Sequence, residues 1–191
     1  SWGGLYAQLY ADQSKYRLLS LFLCSPASGT GKQWREMSLE VADYHKRKCT
    51  KSEWLGMLKN AAFGFLGSDA GYEKFFTQFC LNSNKGYEVE NPVPVMTDHI
   101  YARPVNRTNL ALLFYPKLEV YSPPEMNITV TYGDDDIYGE STKYVKERLP
   151  TANFVTLPNT SHFPWLQNPE AFYKVLAKHY GIDAKGTTSN G

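Results

Sequence analysis

Residues 126–165 constrain the fold of this chain more than any other stretch, because they read as strand, helix and strand in succession. Residues 127–132 are β-branched or aromatic, as strands prefer, and residues 140–149 have the spacing of a helix that stops before Pro150. Residues 154–157 form a second short apolar run. A right-handed crossover makes two such strands parallel and brings their carboxyl ends to one edge of a sheet. The sequence therefore predicts an α/β fold with a parallel sheet.

Each predicted strand is followed by a side chain that can hold or move a proton. Gly133 and three consecutive carboxylates, Asp134, Asp135 and Asp136, follow the first strand, and His162 lies in the loop after the second. Active sites of open α/β sheets form at the carboxyl edge of the strands. We therefore expect one of these acids and the histidine to lie together there. An acid beside a histidine fixes the tautomer of the imidazole, which is what a general base requires.

A candidate nucleophile lies at the beginning of the chain. Ser1 is followed by Trp2, Gly3 and Gly4, and residues 5–13 have helical spacing. A serine on a sharp turn that opens a helix, with glycines that let backbones pass closely, is the second half of the nucleophile-elbow motif. The chain therefore carries its candidate nucleophile, acid and base in the order Ser, Asp, His.

Three motifs in this order resemble those of α/β-hydrolases, and they are most similar to the proline iminopeptidase-like group. They are Ser1-Trp2-Gly3-Gly4, Gly133-x-x-Asp136 and Ser161-His162-Phe163, and the resemblance covers about residues 1–31 and 118–181. It implies an α/β-hydrolase fold and a serine hydrolase that cleaves an ester or amide bond through an acyl-enzyme. Within the group it implies an aminopeptidase that removes the N-terminal residue of a small peptide.

The resemblance also implies a role for each candidate site residue. Ser1 is the nucleophile, His162 is the general base, and Asp136 is the acid that orients the histidine. The Gly-x-x-Asp spacing favours Asp136 over the two carboxylates that precede it. The backbone N–H of Trp2 supplies one oxyanion donor, and no cofactor is implied.

A structural interpretation competes with each assignment. Under it, Ser1 is only the first residue of the sequence, and His162 is one of four histidines. His45 and His99 lie in a helical stretch, and His179 lies on a packing stripe near a helix C-terminus, where a structural role is simpler. Three adjacent carboxylates also suit a cation, but the remaining oxygen ligands of a calcium loop are absent from the sequence around them.

One departure from the family pattern is large. The strand and the Gly-x that precede the serine of an elbow are absent, because the sequence starts at Ser1. In the family, five strands and an oxyanion-hole loop come before that serine. We therefore expect the C-terminal part of a hydrolase, inactive as an isolated chain of 191 residues. Such a chain would associate through the open edge of its first strand or need a separate N-terminal segment.

The middle of the chain changes from mixed elements to helices alone. Residues 18–24 form an apolar run typical of a parallel strand covered on both faces. Residues 32–81 show helical spacing with a Thr50-x-x-Glu53 capping box, residues 87–96 read as extended, and residues 108–114 as a short helix. We expect a helical cap that closes over the site, and a plain helical layer is the alternative. The predicted boundaries are hydrolase core 1–31, cap 32–117, hydrolase core 118–182 and disordered tail 183–191.

Composition and charge exclude several classes of partner. A net charge of +1 gives no sign of a nucleic-acid partner or an anionic membrane surface, and no apolar run approaches a membrane span. Three cysteines without metal-ligand spacing favour a reducing, cytoplasmic compartment and no metal. Three N-x-Ser/Thr sequons, at Asn106, Asn127 and Asn159, argue against that compartment. Asn127 opens a predicted buried strand and Asn159 lies beside the site, so neither is a convincing glycan acceptor.

Other functions fit parts of the pattern. An esterase or lipase-like hydrolase of the same fold is the nearest alternative, since fold alone does not separate ester from peptide substrates. A truncated, non-catalytic hydrolase-like domain that binds ligands or partners is a second. An N-terminal nucleophile amidohydrolase, with the α-amino group of Ser1 as its base, fits poorly, because Trp2 leads into a helix rather than a strand and His162 would have no role.

Overall fold

The computed structural model describes residues 1–182 except 15–17, 94–96, 98 and 124. The predicted disordered tail therefore lies outside the described residues. The chain divides into two compact units. We call them the sheet unit, made of residues 1–29 and the chain from 118 onward, and the helical unit, made of residues 30–117.

The sheet unit contains a parallel three-stranded sheet. Its strands are β1 (Ser20–Cys24), β2 (Asn127–Gly133) and β3 (Asn153–Leu157), in that spatial order. Leu23 of β1 lies beside Val130 of β2, and Val130 lies beside Phe154 of β3. The crossover predicted from residues 126–165 is thus present, and the prediction of an α/β fold with parallel strands is confirmed.

Burial differs between the central strand and its neighbours. Every residue of β2 after Asn127 is buried, whereas β1 is half-buried apart from Leu23. The expectation that β1 begins at Leu18 is wrong, but side chains on both of its faces are packed: Phe22 contacts Phe172 and His179 of a helix, and Leu23 on the opposite face is 1% exposed. The strand begins at Ser20, and Leu19 is 95% exposed. The physical reason for the later start is the pairing with β2, since Ser20 lies beside Asn127, the first residue of that strand.

The described residues of the sheet unit also form four helices: α1 (Trp2–Ser14), α6 (Thr142–Arg148), α7 (Pro164–Gln167) and α8 (Pro169–Tyr180). The start of α8 follows from its sequence, because the side chain of Asn168 accepts a hydrogen bond from Ala171 N at 3.2 Å and Pro169 occupies the first helical position. Gly181 follows the helix with φ of 64°, the left-handed conformation that glycine adopts freely. The sequence patterns did not predict the short helix α7.

A buried arginine fixes α1 within the sheet unit. Arg148 is 4% exposed, and its Nη1 donates to Gln8 Oε1 at 2.6 Å while Nη2 donates to Ser28 O at 3.2 Å. Burial lowers the pKa of the guanidinium to about 10. Ala27 N also donates to Ser1 O at 3.0 Å. The first turn of α1 is therefore held against the loop that follows β1.

The helical unit contains α2 (Lys32–Lys48), α3 (Lys51–Phe65), α4 (Asp69–Ser83) and α5 (Ala102–Phe114). Both hydrogen bonds of the capping box between Thr50 and Glu53 are present at the start of α3. The helix expected to begin at Thr108 begins instead at Ala102, with Pro104 in its first turn. Proline is tolerated there because the first N–H groups of a helix have no intrahelical acceptor.

No helix in the described part of the chain is long and apolar enough to cross a membrane.

Candidate active site

The carboxyl ends of β2 and β3 are joined through their backbones. Asp134 N donates to Leu157 O at 3.0 Å, and Asp135 N donates to Thr160 O at 3.0 Å. A Cβ atom placed on Gly133 would overlap the carbonyl oxygens of Thr160 and Ser161. The acidic turn after β2 and the histidine loop after β3 are therefore in direct contact, and only glycine fits at their point of closest approach.

Asp136 and His162 form a buried hydrogen-bonded pair at this edge. The distance from His162 Nδ1 to Asp136 Oδ1 is 3.1 Å, and the two side chains are 4% and 1% exposed, respectively. The carboxylate accepts three further hydrogen bonds, from Ser25 Oγ at 2.7 Å, Gly133 N at 3.2 Å and Tyr138 N at 3.3 Å. Both carboxylate oxygens thus have donors, as a buried charge requires.

The pKa values of Asp136 and His162 suit a neutral histidine that accepts a proton and an ionised carboxylate that orients it. Burial acts to raise the pKa of Asp136, but the hydrogen bond and charge of His162, with the donors Ser25 and Gly133, lower it overall. Burial lowers the pKa of His162, against the opposing effect of Asp136. At neutral pH Asp136 is therefore ionised and His162 is neutral. An ionised carboxylate can only accept, so the imidazole proton is on Nδ1 and Nε2 carries the lone pair.

Asp134 and Asp135, the two acids before Asp136, make other contacts in this turn. The Asp134 carboxylate accepts from Asn159 N at 2.9 Å and from Thr160 N at 3.0 Å, so it shapes the histidine loop. Asp135 contributes its backbone N–H to Thr160, as described above. The carboxylate of Asp136 is thus the acid that the structure places in hydrogen-bond contact with His162.

The other histidines lie elsewhere. His45 and His99 are in the helical unit. His179 is in α8, and its Nδ1 lies 2.9 Å from Thr129 Oγ1 of β2. Within the sheet unit, His179 therefore lies near the start of β2 rather than at the carboxyl ends of the strands.

Ser1 lies at the same edge and meets the pair through a tyrosine. Its Oγ is 3.0 Å from the hydroxyl of Tyr138. The ring of Tyr138 stands edge-on to the imidazole of His162, with centroids 5.2 Å apart. The hydrogen bond that the structure gives the Ser1 hydroxyl therefore goes to Tyr138, and the phenol bridges the serine and the histidine. Trp2 is the first residue of α1.

The two glycines of the elbow-like motif differ in their surroundings. A Cβ atom on Gly4 would come within 2.7 Å of Pro26 Cβ and 2.8 Å of Pro26 Cα, whereas one on Gly3 would meet nothing within 4 Å. Close backbone approach thus explains Gly4 but not Gly3.

Sequence reasoning missed two residues of this site. Ser25 directly follows β1, so the rule that sites form at carboxyl strand ends could have found it; its φ of 42° is uncommon for a residue other than glycine. Tyr138 lies two residues after Asp136, and no sequence signal marked it. Among the described residues, no group of three His, Cys, Asp or Glu side chains could hold a metal ion.

Replacing Ser25 by alanine should lower the free energy of unfolding by about 1.5–3 kcal/mol at neutral pH, because the variant loses a hydrogen bond to a buried charge. The Ser25 hydroxyl lowers the pKa of folded Asp136, so the stabilisation is present above the unfolded pKa and is lost as pH falls through the folded pKa. The difference between variant and wild type should therefore shrink at acidic pH, as urea unfolding at several pH values would measure.

The matched control for this test is Ser28→Ala. Its hydroxyl donates to Ser141 Oγ at 2.9 Å, a bond between neutral groups. The free energy of unfolding lost in Ser28→Ala should therefore not change with pH. An equal pH dependence for both variants would contradict the role of Ser25.

Comparison with solved structures finds this architecture in several proteins at low sequence identity. The chain is similar to the crystal structure of VinJ with a TM-score of 0.56 and 16% identity, covering 94% of this chain and 62% of that one. For proline iminopeptidase from Mycobacterium smegmatis the TM-score is 0.53 with 16% identity, over 93% of this chain and 61% of that one. For a marine microorganism esterase the TM-score is 0.50 with 13% identity, over 92% of this chain and 66% of that one.

Sequence comparison adds nothing to this result. No protein-family model matches the chain, and no curated protein is similar to it in sequence. At these identities the structural likeness shows the fold alone. The chain spans about three fifths of the length of VinJ and of the proline iminopeptidase.

Proposed function

Because the described chain has the fold of part of an α/β-hydrolase, and its solved neighbours include hydrolases, we propose that it acts as a serine hydrolase through an acyl-enzyme. The observation that carries this proposal is the buried hydrogen bond between Asp136 and His162. A carboxylate that fixes the imidazole proton on Nδ1 leaves Nε2 to act as a base.

In the proposed reaction, Ser1 Oγ attacks the carbonyl carbon of an ester or amide while its proton passes to His162 Nε2. The histidine then returns that proton to the departing alcohol or amine, and water releases the acyl group by the reverse sequence. Asp136 stabilises the imidazolium that forms in each half of the reaction. Ser1 Oγ must exchange its hydrogen bond with Tyr138 for one with His162 before it attacks.

The developing negative charge on the substrate oxygen needs hydrogen-bond donors. We assign one of them to the backbone N–H of Trp2, the residue after the proposed nucleophile. Supporting this, Trp2 begins α1, and the N–H groups of a first helical turn lie at the positive end of the helix dipole. Such donors act where charge develops in the transition state.

For the substrate we propose a small peptide from which an N-terminal residue is removed. Two observations support this choice: the Ser1-Trp2-Gly3-Gly4 motif resembles the elbow of proline iminopeptidase-like enzymes, and one of the solved neighbours is a proline iminopeptidase. The second candidate is a short acyl ester, and the observation that favours it is the likeness to a marine esterase.

When this chain is joined to the N-terminal hydrolase segment that its family resemblance implies, a fluorophosphonate probe should label Ser1 covalently, because such probes react with serines activated by a base. Mass spectrometry of the digested protein locates the label, and turnover of aminoacyl amides against short acyl esters separates the two substrate classes. Ser1→Ala should abolish labelling, whereas Ser52→Ala, an exposed serine of α3, should leave it unchanged. Labelling at another serine, or none at all, would overturn the proposal and favour a non-catalytic binding domain.

A further inference from the structure

A cavity lies at the opposite end of the sheet from the candidate active site. It has a volume of about 330 Å³ and opens between α8 and the first residues of β2 and β3. Its wall is formed by Asn127, Thr129, Asn153, Val155, Lys174, Val175, Lys178 and His179. Asn127 and Asn153 begin their strands, whereas Asp136 and His162 follow the strand ends. The cavity is therefore separate from the proposed catalytic residues.

The charge of the cavity wall has one sign. Lys174 and Lys178 lie one helical turn apart on α8, and both are exposed. No aspartate or glutamate is among the lining residues. Two ammonium groups without a carboxylate in the same wall favour an anionic ligand, since Coulomb attraction between opposite charges stabilises its binding.

The wall also offers hydrogen-bonding groups that the fold holds in place. The side-chain nitrogen of Asn127 donates to His179 O at 2.9 Å. Thr129 Oγ1 lies 2.9 Å from His179 Nδ1, in a contact that fixes the imidazole. Asn153 brings a second side-chain amide to the mouth of the cavity. Amide, hydroxyl and ammonium groups are those that proteins commonly use to bind phosphate oxygens.

His179 contributes a buried imidazole to this wall. The residue is 7% exposed, and its Nε2 has no hydrogen-bond partner among the described residues. That nitrogen is itself buried from solvent, so the imidazole forms a fixed part of the wall, and the exposed lysines and asparagines are the polar groups that a ligand reaches.

The remaining wall is apolar, formed by Val155 and Val175. The cavity volume is that of a site for a small organic molecule rather than a single ion. We propose that this cavity binds a small phosphate monoester. Its phosphate lies between Lys174 and Lys178, and its apolar substituent contacts the two valines.

The test is calorimetric titration of the purified protein with phenyl phosphate. We expect saturable binding with a Kd of about 1 mM or tighter. The double variant Lys174→Gln/Lys178→Gln should weaken it by roughly tenfold or more, because it removes both cations. The matched control, Lys51→Gln/Lys74→Gln, changes the net charge equally at exposed positions of α3 and α4 and should bind as the wild type does.

Two further ligands define the chemical class. Phenol, which lacks the anion, should show no binding, and benzoate should bind more weakly than phenyl phosphate because it carries one charge. Chemical-shift changes at the side-chain amides of Asn127 and Asn153 should accompany phenyl phosphate binding. Absence of saturation at about 20 mM, equal loss in both double variants, or benzoate binding as tightly as phenyl phosphate would each overturn the proposal.

Discussion

Replacing His162 by glutamine is expected to slow acylation of Ser1 by about a thousandfold or more, because the serine hydroxyl loses its base. Glutamine has a similar volume, and its amide can still donate to Asp136, so the fold should persist. The rate of fluorophosphonate labelling, again with the N-terminal segment joined to this chain, measures the effect, and a thermal melt checks folding. His99→Gln, at an exposed position of the helical unit, should react at the wild-type rate.

The pH dependence of labelling follows from the same residue. The reactive form has neutral His162, so the rate should rise with pH through the pKa of this group. Burial holds that pKa below its usual 6.5, so the midpoint of the rise should lie below 6.5 as well. Undiminished labelling in His162→Gln, or a midpoint well above 6.5, would remove His162 from the proposed mechanism.

Gly133→Ala should be the most damaging single change at the sheet edge. Its new methyl group would overlap the backbone carbonyls of Thr160 and Ser161, and backbone atoms cannot move aside as a flexible side chain can. We expect a loss of about 3 kcal/mol or more in the free energy of unfolding. The contact between Asp136 and His162 should weaken too, because the two loops must separate.

Urea unfolding measures this loss, and the imidazole NMR signal of His162 reports on its contact with Asp136. The control is Gly56→Ala in α3, where an added Cβ atom meets nothing within 4 Å. That change should stabilise the protein by about 0.5–1 kcal/mol, since alanine favours helix over glycine. A Gly133→Ala protein as stable as the wild type would show that the two loops are not in contact as described.

Much of the sheet unit could be predicted because local signals and long-range pairing agree there. The β-branched run after Met126, the stop at Pro150 and the cap at Asn168 each fix one element by a short-range rule. The crossover rule then places the turn after β2 beside the loop after β3. The shared strand edge was therefore enough to predict that an acid after β2 contacts His162.

The parts that sequence could not predict depend on three-dimensional packing. Only the Gly-x-x-Asp spacing of the resembled family favoured Asp136 over Asp134. Their different partners, the imidazole for Asp136 and the backbone of the histidine loop for Asp134, are set by the geometry of the turn. The contact between Ser1 and Tyr138 spans 137 positions of the chain, so no periodicity could reveal it. Pro104 concealed the start of α5, because a proline inside the first turn looks like a break.

The histidine loop is held without help from its histidine. Its backbone is fixed by the Asp134 carboxylate, by the bond from Ser161 N to Gln167 Oε1 at 2.6 Å, and by the bond from Thr160 Oγ1 to Leu157 O at 2.9 Å. The backbone at position 162 is thus fixed by its neighbours, so a side chain of similar size placed there would start from the same position beside Asp136. For protein engineering, this makes the site a candidate for installing a different proton donor or nucleophile while the surrounding framework stays intact.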